Sequence, residues 1–435
     1  MPLEAIVNTP SPFRRIAVIG AGITGMGAAH KLAPDNHVTL FESGARLGGH
    51  ARTVMAGKNG DQPVDTGFIV FNYANYPHLA ELFAELNVPV KKSNMSFGAS
   101  FGAGRLEYAL TSLSAVFAQR RNLVNPAFLG MLRDVVKFNK HALTLAQDKT
   151  LSLRDFLEKL GTGDYFRDHY LLPFSGAIWS TPADKIMDFP AHALIQFFQN
   201  HALLGYSGQH QWYTVEGGSI SYVSRIEASM KRRGVDIRLN SAIDGVRRDA
   251  QGVEVKTRGG EWERFDEVVM ATHSDDTLSM LSDPSAEEQA ALGAIKYQPN
   301  DIILHADTDV MPKRKLAWAS WVYTEDSKLK SDRIDLTYWM NSLQSIPEDD
   351  PHFVTLNTKR TIREELIYDR VTLRHPVYDL AAWDAQGKVH AMNGQRNTWF
   401  CGAWLRNGFH EDGLATAMEV VDALQRTRTR ALAAE

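Results

Sequence analysis

The sequence predicts an α/β fold in which a parallel-stranded domain, assembled from three separated stretches of chain, carries an inserted α+β domain. Three observations predict it. A short apolar run, Ile16-Ala17-Val18-Ile19, leads directly into the glycine-rich GAGITG and a helical stretch reaching Leu32. The C-terminal end repeats strand-then-helix order, with Thr398-Trp399-Phe400-Cys401, Gly402, and a helix carrying Leu414, Met418, Val421 and Leu424. Between them the stretch from Leu79 to Gln211 is helix-rich and aromatic, with a different pattern from either end. Short buried strands that alternate with helices are the mark of a parallel sheet.

The remaining elements follow in order. Val38-Thr39-Leu40-Phe41 is the second strand. After Glu216-Gly217-Gly218-Ser219 the spacing of Ile220, Val223, Ile226 and Met230 predicts an amphipathic helix. VDIRLN, GVEVKT and EVVMAT then read as strands, the latter two separated by a turn at Gly259-Gly260. The expected division is one discontinuous domain of residues 14–80, 212–290 and 390–435, a second of 81–211 and 291–389, and an N-terminal arm of 1–13.

Bulk properties narrow the function. A chain of 435 residues is too long for one ordinary core. Hydrophobic residues at 44% and charged residues at 23% describe a soluble globular protein. A formal net charge of −4 gives no reason to expect nucleic acid as a partner. The single cysteine, Cys401, allows no intrachain disulfide, in keeping with a reducing compartment. No secretory signal and no long apolar span is visible, so the expectation is a cytoplasmic protein whose membrane contact is limited to its surface, at the inner face. His192, His201 and His210 are too widely spaced for a zinc pattern, and HExxH and GxSxG are absent, so no metal site and no hydrolase is expected.

GAGITG assigns a task to each glycine. Gly20 allows the tight turn, Gly22 lets the backbone approach a pyrophosphate, and Gly25 lets helix and strand pack closely. The pyrophosphate would sit at the helix N-terminus, near Ile23 and Thr24, where unpaired N–H groups favour negative charge. Glu42 ends the second strand at the spacing where a carboxylate accepts hydrogen bonds from ribose hydroxyls, with Ser43 beside it. A 2′-phosphate would meet that negative charge, which disfavours NADP. The pattern is a dinucleotide site on a Rossmann-type unit.

The segment Arg46-Leu47-Gly48-Gly49-His50-Ala51-Arg52-Thr53 resembles the RxGGRxxT stretch of flavin amine oxidases and phytoene desaturases. His50 stands where the family has arginine, leaving Arg46 and Arg52 to answer the phosphates. WYTVEGGS, VDIRLNSAIDGV and EVVMAT are similar to the family's central segment, and WFCGAWLRNGFHEDGLATAMEVV to its C-terminal flavin segment. The resemblance implies a glutathione-reductase-like FAD-binding domain with an amine-oxidase-like substrate domain, and FAD held non-covalently. It places Gly67 and Phe68 near the cofactor, Ile243 at the adenine, and Ala271 and Thr272 beside the dinucleotide. It also places Gly402 at the ribityl chain and Glu411, Asp412, Gly413 and Leu414 at the flavin ring, with the Gly413 amide facing its N1/O2 edge. Ala403 replaces the family's aspartate.

No second GxGxxG follows another strand, so an NAD(P)H domain is not expected. The organic substrate then gives its hydride to the flavin, with reoxidation by oxygen, a quinone or a carrier protein. Amine oxidases carry a lysine on a strand that aligns with residues 299–305; here that strand has Asn300 and Asp301. Asp301, His305, Tyr338 and His410 are the candidate acids or bases, with Asn341 and Glu411 beside them.

VDTGFIVFN, AIWSTP, FPAHALIQFFQNHALL, TYWMNSLQ and GFHEDGL resemble a bacterial branch of NAD/FAD-binding proteins that accompany cyclopropane-fatty-acid-synthase-like methyltransferases. That resemblance implies a modified fatty acyl chain as substrate and such a methyltransferase as partner. Phe174, Trp179, Phe197, Phe198, Leu203, Leu204 and Trp212 could line an apolar tunnel or form a plain core. The expected function is FAD-dependent desaturation or other oxidation of an apolar substrate. Amine oxidation, a FAD-containing hydratase or isomerase without net redox, and a non-catalytic partner of the methyltransferase stay open. Between Leu113 and Phe138, aromatic and aliphatic residues alternate with Arg120, Arg121, Arg133 and Lys137, which suits an anionic bilayer surface or a solvated helix pair.

Overall fold

The computed structural model describes residues 13–179, 186–205, 208–326 and 333–432. They form two compact units, one of described residues within 13–49, 224–293 and 387–432, the other of described residues within 50–223 and 294–386.

The first unit is built on a five-stranded parallel sheet. Its order is Asp236–Arg238, Asn36–Phe41, Arg14–Ile19, Glu267–Met270 and Thr398–Phe400. Ala17, Val18, Leu40, Val268 and Val269 have no solvent exposure, which is why these strands read as continuous apolar runs. The helices Ile23–Leu32 and His410–Leu432 pack together through Gly27, where a Cβ would lie 2.4 Å from Leu414 Cδ1. A three-stranded antiparallel sheet, Ile243–Asp249, Gly252–Thr257 and Trp262–Phe265, completes the unit. Arg248, with no exposed side-chain surface, forks onto Glu288 at 2.6 and 2.9 Å and reaches Asp283 at 2.9 Å.

The second unit carries a seven-stranded sheet. Its order is Ile367–Val377, Lys296–His305, Phe353–Leu356, Asp335–Trp339, Trp321–Glu325, Phe97–Phe101 and Leu106–Ala109. All neighbours are antiparallel except Trp321–Glu325 with Phe97–Phe101. Val322, Phe353, Val310, Met311 and Ile362 pack into one core with Trp318 and Trp339 against it. The helices Pro126–Leu145 and Ala191–Asn200 contribute to a separate aromatic cluster. There Phe198 meets Phe174 at 5.5 Å and Phe138 at 6.1 Å between ring centroids.

The chain enters the second unit at His50 and leaves it after Val223. Residues 50–80 and 212–223 therefore fold with that unit, although the sequence groups them with the dinucleotide-binding stretches. The reason is pairing: Val70–Phe71 and Val90–Ser93 both hydrogen-bond to Trp212–Val215. Buried Asp65 ties the same region together by accepting from Thr53 Oγ1 at 2.6 Å, Ser219 Oγ at 2.7 Å and Gln344 Nε2 at 3.0 Å.

Candidate FAD site and substrate-side network

In the first unit the glycine loop is shaped by contact. A Cβ on Gly25 would sit 1.8 Å from the Gly20 carbonyl oxygen, and one on Gly20, whose φ is +99°, would sit 2.8 Å from the Ala271 oxygen. Neither position can hold a side chain, so the turn, the helix and the strand ending at Met270 meet backbone to backbone. Gly22 differs: a Cβ there meets nothing within 4 Å. It caps the helix Ile23–Leu32 with no side-chain hydrogen bond, and the first turn carries no acid. The residues thus fit a phosphate, with open space at Gly22 and no anion of the helix's own at its positive end.

Glu42 stands at the end of the adjacent strand. Its carboxylate accepts from Ala21 N at 2.9 Å and Gly44 N at 2.8 Å, with Ser43 Oγ at 3.3 Å. These donors fix its orientation beside the glycine loop, where it can accept from ribose hydroxyls. The chain leading to Ile243 runs alongside, since Ser241 N donates to Glu42 O and Asn240 N to Gly44 O. Gly48 N donates to Ala21 O at 2.8 Å, and a Cβ on Gly49 would lie 3.0 Å from Gly22 Cα. The structure therefore brings GAGITG, Glu42, the Gly48-Gly49 pair and the start of the strand Ile243–Asp249 together.

The C-terminal segment joins the same group. Trp404 Nε1 donates to Thr272 O at 3.0 Å and Thr416 Oγ1 accepts from Gly402 N at 3.0 Å, so indole and hydroxyl fix the loop after Gly402. Neither role is legible in the sequence; the adjacency of Trp404 to Gly402 is its only signal. Cys401 is fully buried and burial pushes its thiol well up, so it stays protonated and offers no nucleophile for a covalent flavin bond.

Several assignments change. The Gly413 amide, expected to face the flavin edge, closes the first helical turn by donating to Phe409 O at 3.1 Å. Gly413 instead allows close packing, because a Cβ there would lie 2.5 Å from Thr24 Oγ1. Asp412 accepts from Phe409 N at 2.9 Å, the reach-back half of a capping box, and burial raises its carboxyl to about 6. Glu411 is buried beside it and His410 half-buried at the start of the same helix. Arg46 donates to Leu47 O and Gly49 O at 3.1 and 2.7 Å, so its guanidinium braces the glycine pair.

The second unit holds His50, Gly67 and Phe68 as one group. Phe68 N donates to His50 O at 3.0 Å, and a Cβ on Gly67 would lie 1.9 Å from that oxygen. Arg52 forks onto Asp369 at 2.7 and 3.0 Å, an ion pair rather than the expected phosphate contact.

Of the candidate acids and bases, Asp301 lies on the exposed side of its strand, 3.1 Å from Arg333 and accepting from Thr372 Oγ1 at 2.8 Å. His305 is buried at the end of the same strand, on the face of Ile303 and beside Phe353. Its ring accepts from Asp307 N and lies 2.8 Å from Thr355 Oγ1, and burial lowers its pKa to about 4. It is a neutral core histidine. Tyr338 is half-buried with its ring edge-on to Trp321 at 5.2 Å. Asn341 gives its amide to the loop carbonyls of Pro347 and Asp350. Within the second unit Asp301, His305 and Tyr338 each have separate partners, and His410 belongs to the first unit. The proposed tunnel residues Phe174, Phe197 and Phe198 are packed core rings, with His201 stacked between Phe197 and Trp212; the side chain of Trp179 lies outside the described residues.

A network that sequence reasoning missed runs through the same unit. Asn300, fully buried, donates to His375 Nδ1 at 2.6 Å and accepts from Asn357 Nδ2 at 2.8 Å. His50 Nε2 donates to Arg374 O at 3.1 Å, and its ring centroid is 5.4 Å from that of His375. Burial, then the charge of His50, holds His375 well below the usual histidine range. Gln298, buried on the same strand face, has its amide Nε2 without a partner among the described residues.

Comparison with known proteins agrees with this arrangement. The chain matches the family described as flavin containing amine oxidoreductase over residues 23–373. It is 23% identical over 274 residues to a coproporphyrinogen III oxidase of Staphylococcus aureus, covering 54% of this chain and 55% of that protein. The chain spans about half, or less, of the length of the curated relatives it matches. A CLA-producing fatty acid isomerase from P. acnes shares the fold at a TM-score of 0.68 and 16% identity, over 95% of this chain and 99% of that one. Cyclohexylamine oxidase from Brevibacterium oxydans IH-35A does so at 0.63 and 14%, over 95% and 100%. With its family matched across most of the chain and a dinucleotide cradle formed by Gly22, Glu42 and Gly49, this protein belongs to the flavin containing amine oxidoreductases, and its cofactor is FAD.

Proposed function

We propose that the protein dehydrogenates an apolar substrate bearing a neutral polar group, and that a fatty acyl chain is the class it takes. The observation that carries this reading is the strand Lys296–His305, whose buried positions include Gln298, Asn300, Ile302 and Leu304. These offer amides and hydrocarbon, with no lysine and no carboxylate. Bound FAD would supply a hydride acceptor; the substrate would give it a hydride from one carbon and release a proton from the neighbouring carbon to solvent, leaving a double bond. Reoxidation falls to oxygen, a quinone or a carrier protein.

The network argues against an amine. An alkylammonium brings a positive charge that a buried site must answer with an opposite charge. Asn300 and His375 pair with each other and offer no carboxylate, so this network suits a neutral ligand. A neutral acyl carbonyl suits the site better, because Gln298 Nε2 is a buried donor that needs an acceptor. The same neutral surroundings suit double-bond migration without net redox, the second reading.

Anaerobic titration of the purified yellow protein distinguishes these. Bleaching of the visible flavin band by fatty acyl esters, and not by primary amines, is the expected result. Bleaching by amines alone would overturn the proposal, and an altered lipid without bleaching would establish the second reading.

A further inference from the structure

The second unit has a surface whose composition departs from the rest of the chain. Fourteen large hydrophobic side chains are exposed among the described residues, and seven of them fall between Leu110 and Leu143. Residues 110–147 also hold five lysines and arginines against one acid, in a protein of net charge −4. The one acid, Asp134, is buried.

The helix Pro126–Leu145 shows how the surface is arranged. Phe128, Met131, Val135 and Phe138 bury its inner side. Leu129, Val136 and Leu143 recur every seven residues on the outer side, 42%, 54% and 40% exposed. Exposed Arg133 and Lys140 fall between them, so the sequence along the outer stripe is Leu, Arg, Val, Lys, Leu at alternating spacings of four and three. The outer side thus interleaves aliphatic with cationic residues, where a fully solvated helix would carry polar residues alone. Leu123 and Val124, just before the helix, are also exposed. The turn Lys315–Ala317 lies beside the short helix Leu113–Val116 and adds Leu316 and Lys315 near exposed Leu113.

We infer that this face docks the protein on the surface of an anionic lipid bilayer. Interleaved aliphatic and cationic side chains match the boundary between acyl chains and headgroups: the aliphatics enter the hydrocarbon and the long cationic side chains reach back to phosphates. A second copy of the same face would bring Arg133 and Lys140 against like charges, which disfavours self-association through it. No helix among the described residues is long and apolar enough to cross a membrane. The inference does not depend on which substrate the flavin oxidises.

The test uses the flavin-loaded full chain in a vesicle sedimentation assay. It should pellet with vesicles of phosphatidylcholine and phosphatidylglycerol, bind vesicles of phosphatidylcholine alone about tenfold less, and be released by high salt. Arg133→Glu with Lys140→Glu, and separately Leu129→Ser with Val136→Ser, should each cut binding about tenfold while leaving thermal unfolding and the flavin spectrum unchanged. Equal binding to both vesicle types, or wild-type binding by both double variants, would overturn the inference. So would tight binding to heparin that vesicles do not displace, which would mark a polyanion site instead.

Discussion

Gly25 lies directly over Gly20: a Cβ on the helix residue would stand 1.8 Å from the loop residue's carbonyl oxygen. Three positions along the same motif, Gly22 faces nothing within 4 Å and has φ of −70°. The two glycines therefore serve different purposes, one packing and the other ligand approach. Alanine at Gly25 must move backbone, at a cost of about 3 kcal/mol or more. Alanine at Gly22 should fold like the wild type but lose FAD. Thermal unfolding of the two apoproteins, with flavin retained on purification, checks this: G25A should be unstable with or without FAD, G22A colourless and stable.

Arg248 and Glu288 form a buried fork within the first unit. Arg248→Met leaves Glu288 buried without its main partner and should lower stability by about 3–5 kcal/mol. Denaturant unfolding of the holoprotein reads the loss, and the flavin spectrum should not shift, since neither residue adjoins the glycine loop.

His305 makes stability pH-dependent. Its folded pKa, about 4, is below the ordinary value of 6.5 because burial disfavours the charged ring. The stability it contributes is full above about 6.5 and is lost as pH falls through about 4. His305→Asn removes that titration. The stability difference between wild type and variant should narrow by about 3 kcal/mol between pH 7 and pH 4. Reduction of the flavin by substrate should be unchanged in this variant and in Asp301→Asn, whose carboxylate is a surface ion pair.

Gln298 offers a sharper test of the substrate side. Gln298→Leu removes a buried unpaired donor, so stability should rise by about 1 kcal/mol. If that donor holds an acyl carbonyl, KM for the acyl substrate should rise about fivefold to tenfold with kcat little changed. A more stable variant with unaltered KM would leave Gln298 without a role in binding.

The first unit was largely legible because its constraints are local. GAGITG, Glu42 and Gly48-Gly49 lie within 30 residues of one another, and each glycine's task follows from backbone geometry. The second unit was not, because its chemistry depends on pairings between distant segments. Asn300 meets His375 only because the strands Lys296–His305 and Ile367–Val377 lie side by side. Nothing around His375 in sequence marks it. The burial of His305 depends on Thr355 and Phe353 of the neighbouring strand, and the boundary at Gly49 on strand pairing with Trp212–Val215. Asp412, a cofactor contact by its motif, also caps its helix, a role the motif does not distinguish because both favour an acid at a helix start.

The central claim is oxidation of an acyl chain by the bound flavin. An anaerobic single-turnover experiment with a saturated fatty acyl ester, analysed by mass spectrometry beside the flavin spectrum, tests it most directly. The account predicts one product lighter by two hydrogens for each flavin bleached. A product of unchanged mass, or one heavier by a water, with the flavin still oxidised, would contradict it.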